Sequence, residues 1–238
     1  MNKLFPNLYL DIGNTNIKYC FDDDKIYIVD SNLYELSYIF DKYLHNHNIY
    51  LINVNFELNK FIKENTNKNL FIFDKEKYHN EFNLQKKFDY KEIGDDIYFM
   101  INFLIELNLS NYLLVSYGTY TVYLIMKNNL IESIQIELGN DAINKFLANK
   151  FDLEFFKLKP NLVNGNNTIN AINSATYFRT IGTIEEIKKY YKFSNNEIIF
   201  CGNGISNTIT NNFQDCNIIN NLVLLSFKKW CIRKFMKK

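Results

Sequence analysis

Glycine and proline are scarce in this chain of 238 residues, at 8 and 2, while Asn, Ile, Lys and Tyr abound. That balance reads as the coding bias of an AT-rich genome and excludes a functional low-complexity signal. Four cysteines, Cys20, Cys201, Cys216 and Cys231, show no Cys-x-x-Cys spacing, and His45, His47 and His79 lie away from them. No zinc site is expected. A basic-plus-apolar leader and an uninterrupted apolar run near 20 residues are both missing, which argues against a secretory signal and a membrane span. The expected compartment is a reducing cytoplasm, with Cys20 and Cys201 as small buried hydrophobes inside strands. Charge of either sign is also lacking in excess: 27 basic against 26 acidic side chains leave +1, so no global field favours nucleic acid or an anionic membrane. The basic stretch 228–238, interleaved with Trp230, Ile232 and Phe235, reads as an amphipathic last helix more readily than as a binding arm.

What is present is an ordinary globular balance, 47% hydrophobic and 22% charged, in a chain long enough for one large or two small domains. Its most informative stretch is Asp11-Ile12-Gly13-Asn14-Thr15-Asn16-Ile17-Lys18, set between the apolar runs 8–10 and 17–21. That context predicts strand, tight turn, strand. A carboxylate at the end of the first strand can hold magnesium through water. Gly13 lets backbone approach a phosphate, and Asn14, Thr15 and Lys18 supply donors to its oxygens. The rival reading is an ordinary hairpin in which Asp11 and Asn14 satisfy turn backbone.

The pattern recurs about a hundred residues later. The run 113–124 again gives an apolar strand, a Gly-Thr turn at Gly118 and Thr119, and a return strand, with Ser116 in register with Asp11. A third extended run follows each hairpin, 25–29 and 130–137, across the polar turns 22–24 and 127–129. Each half therefore begins with a three-stranded meander.

Further along the first half, periodicity predicts helices over 33–44, 57–64 and 96–107 and strands over 49–54 and 70–73. In the second half it predicts helices over 140–151, 168–191 and 221–236 and a strand over 197–201. The class is α/β, with sheets covered by helices. The expected boundary lies near 110–112, giving domains 1–111 and 112–238.

Two such halves, each with a phosphate-binding hairpin, resemble the actin, sugar kinase and Hsp70 superfamily, which implies two RNase H-like halves with a nucleotide cleft between them. Within it the chain is similar to type III pantothenate kinases. The resemblance rests on Asp11 to Lys18, on Gly94-Asp95-Asp96-Ile97 matched to Gly-x-Asp-Arg, and on Ser116-Tyr117-Gly118-Thr119-Tyr120 matched to Asp-x-Gly-Thr-Ala. It extends to Asn167-Thr168 before a helix and to a Gly turn after Phe200-Cys201. Order and spacing hold over nearly the whole chain.

The resemblance implies transfer of the ATP γ-phosphoryl group to pantothenate, at the start of coenzyme A synthesis, by a cytoplasmic homodimer using magnesium and a monovalent cation, potassium or ammonium. It implies nucleotide contacts from Asp11, Ile12, Gly13, Asn14, Thr15, Asn16, Ile17, Lys18 and Thr119. Substrate contacts would come from Tyr90, Gly94, Asp95, Asp96, Ile97 and Thr168, with Asp96 as general base. Helix capping is the rival role for Asp96 and for Thr168. The departures fall on charge: Ile97 stands where the family has Arg, Leu124 replaces a further Asp, and Ser116 replaces the Asp that helps hold the monovalent cation. Lys91 and Arg179 are the candidates to replace the missing Arg. A hydroxyl brings no charge, so the resemblance also implies weakened cation binding at Ser116. A nucleotide-binding accessory relative without turnover, and a different small-molecule kinase on the same scaffold, remain as alternatives.

Overall fold

The computed structural model describes residues 5–23, 25–82, 88–89, 91–108, 110–139, 142–143, 146–147, 150, 165–202 and 207–236. The chain divides into two compact halves, 1–107 with 221–238, and 108–220. Among the described residues, no helix is long and apolar enough to cross a membrane.

The first half opens with the expected meander: β1 (Asn7–Ile12), β2 (Asn16–Phe21) and β3 (Ile26–Asp30). Helix α1 (Leu33–Tyr43) follows, started by Asn32, whose side chain accepts from the Glu35 N–H at 2.9 Å. Strand β4 (Asn48–Asn53), helix α2 (Asn59–Glu64) and strand β5 (Leu70–Ile72) complete a five-stranded sheet of order β3-β2-β1-β4-β5. The meander is antiparallel, and β1, β4 and β5 run parallel. Alternation decides the faces: Leu8, Leu10 and Ile12 bury against Leu36, Ile39 and Phe40 of α1 and Ile62 of α2. Asn7, Tyr9 and Asp11 consequently point to the opposite face.

Helix α3 (Lys75–Tyr78) and helix α4 (Asp95–Glu106) end this block. The expected start of α4 at 96 moves back one residue, with Gly94 as its cap.

The second half repeats the plan. Strands β6 (Tyr112–Tyr117), β7 (Tyr120–Lys127) and β8 (Leu130–Leu138) form the meander. Asn128 and Asn129 join the last two strands with φ of 51° and 62°, the two-residue turn with both central residues left-handed that suits twisted strands. Helix α5 (Thr168–Tyr191) leads to β9 (Ile198–Gly202), α6 (Asn207–Thr210) and β10 (Asn217–Ile219), and the sheet order is β10-β9-β6-β7-β8. Val115, Tyr117, Tyr123 and Ile125 pack on Tyr177, Ile184 and Ile187 of α5. The helix expected over 140–151 falls mostly outside the described residues, as does the turn after Gly202.

The division of the chain differs from the expected one in its last element. Helix α7 (Leu222–Cys231) belongs with the first half. Asn102 of α4 donates to Ser226 Oγ at 3.0 Å in a buried bond, and Phe99 meets Phe227 edge-on at 5.0 Å. The Lys228 ammonium is buried, donating to the carbonyls of Phe21, Asp22 and Asp23 at 2.8, 3.0 and 3.2 Å. A lysine is buried only with such partners, and these lie on the β2–β3 turn. Cys20 and Cys201 are buried in strands, as expected.

Candidate functional site

Asp11 ends up buried, one residue from the end of β1, directly across the ladder from Lys18 of β2. The turn between them is closed by the Gly13 N–H donating to the Asn16 carbonyl at 3.0 Å. A second layer fixes it from behind. Ser31 N–H donates to the Thr15 carbonyl at 2.9 Å, and the buried Asn55 side chain donates to Ser31 Oγ at 3.0 Å. The predicted contacts Ile12, Gly13, Asn14, Thr15, Asn16, Ile17 and Lys18 thus occupy one braced hairpin, with Ile12 and Ile17 buried and Asn14 exposed.

The N-terminus of α4 comes close enough for Asp96 to act on Asp11 and for Lys18 to act on Asp96. Burial raises Asp11 to about 6, Lys18 opposes that rise and Asp96 adds to it. Burial also raises Asp95 to about 6, opposed by Lys75 and reinforced by Asp96 and Asp74. Asp96 is raised as well, by burial, against the Ile97 N–H that its Oδ1 accepts at 2.9 Å and the charges of Lys18 and Lys75. Three carboxylates therefore share one region, each less acidic than in water, with two lysine ammonium groups as counter-charge. Perturbed groups gathered in this way mark the region as a candidate functional site.

In the first turn of α4, Asp96 accepts the Ile97 N–H and so serves the start of the helix without occupying the cap position. That place is held by Gly94, which makes no side-chain capping bond. A Cβ on Gly94 would lie 2.6 Å from Asp96 Oδ1, so the glycine makes room for the carboxylate. Ile97 is 5% exposed, an apolar residue in the buried face of α4. Tyr90 lies outside the described residues.

Among the described residues, no group of three or more His, Cys, Asp or Glu could hold a metal. A single buried carboxylate short of positive charge still fits magnesium, which is commonly held by one or two carboxylates together with substrate phosphates. Asp11 would be that ligand, through water, and the ion would supply charge neutralisation for a polyphosphate.

In the second half, Ser116 of β6 pairs with Val122 of β7 and with Cys201 of β9. The turn after it is shorter than its counterpart. Residues 13–16 separate the paired Ile12 and Ile17, whereas only 118–120 separate Tyr117 and Thr121. Gly139 braces this turn, donating to the Thr119 carbonyl at 2.9 Å. Leu124 is fully buried between Leu114 and Ile134. Thr168 is the first, exposed residue of α5, and the cap is Asn167, whose side chain accepts from Asn170 at 2.9 Å. Arg179, one candidate to replace the missing Arg, pairs with Glu137 at 3.8 Å and donates to the Leu138 carbonyl at 3.4 Å. Lys91, the other candidate, is exposed. Sequence reasoning missed Lys75. The signal that could have found its helix is Asp74, whose side chain caps α3 after the apolar run 70–73.

Two sheets of one strand order, each a meander continued by parallel strands, define an actin-like α/β protein built of two related halves. Solved structures agree. The chain is similar to a protein of Campylobacter jejuni described as a Baf family transcriptional activator, with 19% identity and a TM-score of 0.63 over 95% of this chain and 98% of that one. It is similar to MreB5 of Spiroplasma citri bound to AMPPNP, with 13% identity and a TM-score of 0.50 over 98% and 97%. A 2-dehydro-3-deoxygalactonokinase-like protein of Sinorhizobium meliloti gives 10% identity and a TM-score of 0.55 over 98% of each chain. Among curated proteins, none matches the chain in sequence. The sequence profile of the type III pantothenate kinases matches residues 7–190, and the chain belongs to that family.

Proposed function

We propose that this chain is a divergent kinase that phosphorylates pantothenate from ATP, with Asp11 and Lys18 serving the polyphosphate and Asp96 taking the proton from the acceptor hydroxyl. The reading is supported by the braced hairpin that pairs Asp11 with Lys18 across the ladder, with Asp96 near enough that its charge raises Asp11 and Lys18 opposes the rise of both carboxylates. A less acidic carboxylate is a better proton acceptor, and a lysine beside it offsets the charge of the incoming phosphates. Gly94, Asp95, Ile97 and Thr168 are the proposed neighbours of the acceptor, and Thr119 that of the nucleotide. A homodimer in the cytoplasm, with a potassium or ammonium ion at Ser116, belongs to the same proposal. The test is a phosphorylation assay on purified protein, with and without pantothenate and with potassium varied. Pantothenate-dependent ATP consumption supports the reading, and none at any potassium concentration rejects it.

The uncharged Ser116 and Ile97 favour a second reading, a nucleotide-binding accessory protein of the same family without turnover. Tight ATP binding measured by calorimetry, together with no phosphorylated product, would select it.

A further inference from the structure

The amine of Lys75 reaches the segment that leads into α4. Its Nζ donates to the carbonyls of Lys91 and Ile93 at 2.8 and 2.9 Å, across a sequence separation of 16 and 18 residues. Gly94 comes next, and its carbonyl accepts the N–H groups of Ile97 and Tyr98 at 3.0 and 3.3 Å, which closes the first turn of the helix. The stretch 94–96 is therefore held at one end by Lys75 and at the other by helical bonds, with the Asp96 carboxylate folded over Gly94. Lys75 is itself fixed as the first residue of α3, behind the Asp74 cap. Its positive charge acts on both Asp95 and Asp96, beside the position where Ile97 carries none.

We infer that Lys75 is a positioning residue for Asp96: by clamping the carbonyls of Lys91 and Ile93 it sets where α4 begins and hence where the Asp96 carboxylate stands. This rests on the reading of Asp96 as the base. Charge-assisted donors to two backbone carbonyls are stronger than neutral ones, and a carboxylate displaced by an ångström loses much of its use as a base. The clamp works through backbone atoms, so Arg is able to reproduce it and Met is not.

The test compares the full-length chain with Lys75→Met and Lys75→Arg, using amide hydrogen exchange, ATP binding by calorimetry, and steady-state kinetics with pantothenate. In Lys75→Met, exchange at Ile97 and Tyr98 should quicken by about tenfold or more while amides of β1 and β2 hold. ATP affinity should stay within about twofold and kcat should fall about 10²-fold. Lys75→Arg should restore both the exchange rates and most of kcat. Unchanged exchange at Ile97 and Tyr98 overturns the proposal, as does a uniform loss of protection across the half with kcat falling only as the folded fraction falls. If the unaltered chain phosphorylates no acceptor, the kinase reading fails, and the exchange comparison alone still decides whether Lys75 fixes the start of α4.

Discussion

Ser116 holds in the second sheet the place that Asp11 holds in the first. Each stands one residue before the end of the strand that enters a glycine turn, between an antiparallel and a parallel neighbour. For Asp11 these are Lys18 and Ile52, and for Ser116 they are Val122 and Cys201. The strand pairing is the same in both sheets, but the second turn is one residue shorter and Ser116 with Val122 stands where the first sheet has the charge pair of Asp11 and Lys18.

Asp11→Asn should separate stability from activity. The folded protein holds the Asp11 proton up to about 6, against an ordinary value of 3.8. The contribution of this group to stability is complete below pH 4 and is lost as pH rises toward 6. Above that, the buried charge costs on the order of 3 kcal/mol. The Asn variant should therefore gain stability relative to the parent at pH 7.5 compared with pH 4, in denaturant titrations without nucleotide, while turnover drops by about 10²-fold or more. An equal difference at both pH values would contradict the burial argument.

Asp96→Asn tests the base. Because Gly94 and not Asp96 occupies the cap, the exchange should change stability by about 1 kcal/mol or less and leave ATP affinity alone. Turnover should vanish. Kinetics like those of the unaltered chain would remove the only general base proposed for this site.

Ser116→Asp puts the missing carboxylate back at a partly exposed strand position. It should increase the dependence of turnover on potassium, read as rate against potassium concentration. An unaltered dependence would show that the cation, if used, binds elsewhere.

Ile97→Arg is expected to fail as a restoration of the family motif. At 5% exposure the side chain lies in the apolar face of α4, so a guanidinium there would need to be buried or to force the turn open. Thermal unfolding should shift down by several degrees, consistent with a loss of about 2 kcal/mol or more. A variant that melts normally and binds pantothenate more tightly would show that the position takes a guanidinium beside the acceptor without strain.

Gly202→Ala should be severely destabilising. Gly202 has a φ of 100°, and a Cβ there would run into the backbone of Tyr117, its register partner in β6. Strain and clash together should cost about 2 kcal/mol or more, measurable by denaturant titration. A neutral outcome would mean that β6 and β9 shift apart without penalty.

The two meanders and both hairpins were legible in the sequence because strand alternation and turn residues such as Gly13 and Asn129 act locally. Helix α3 and strand β10, with four and three residues, are too short to show a period. The amphipathic pattern of 221–236 announced a helix but not the sheet it covers, which is decided by Asn102, Ser226 and the carbonyls around Lys228. Asp11 and Asp96 were legible as motif residues, and the distribution of charge around them was not. Lys75 acts through backbone carbonyls that carry no sequence signature.

The first half is assembled from two stretches of chain far apart in sequence, the second from one. Residues 108–220 are contiguous and can close their sheet once they have emerged, whereas the first half waits for α7 to return and lay Phe227 and Lys228 in place. Until then the face of β1 that carries Tyr9 lacks the Lys228 ammonium that lies 5.7 Å over the Tyr9 ring. The first half is thus a discontinuous unit, completed only by chain made after the whole of the second half.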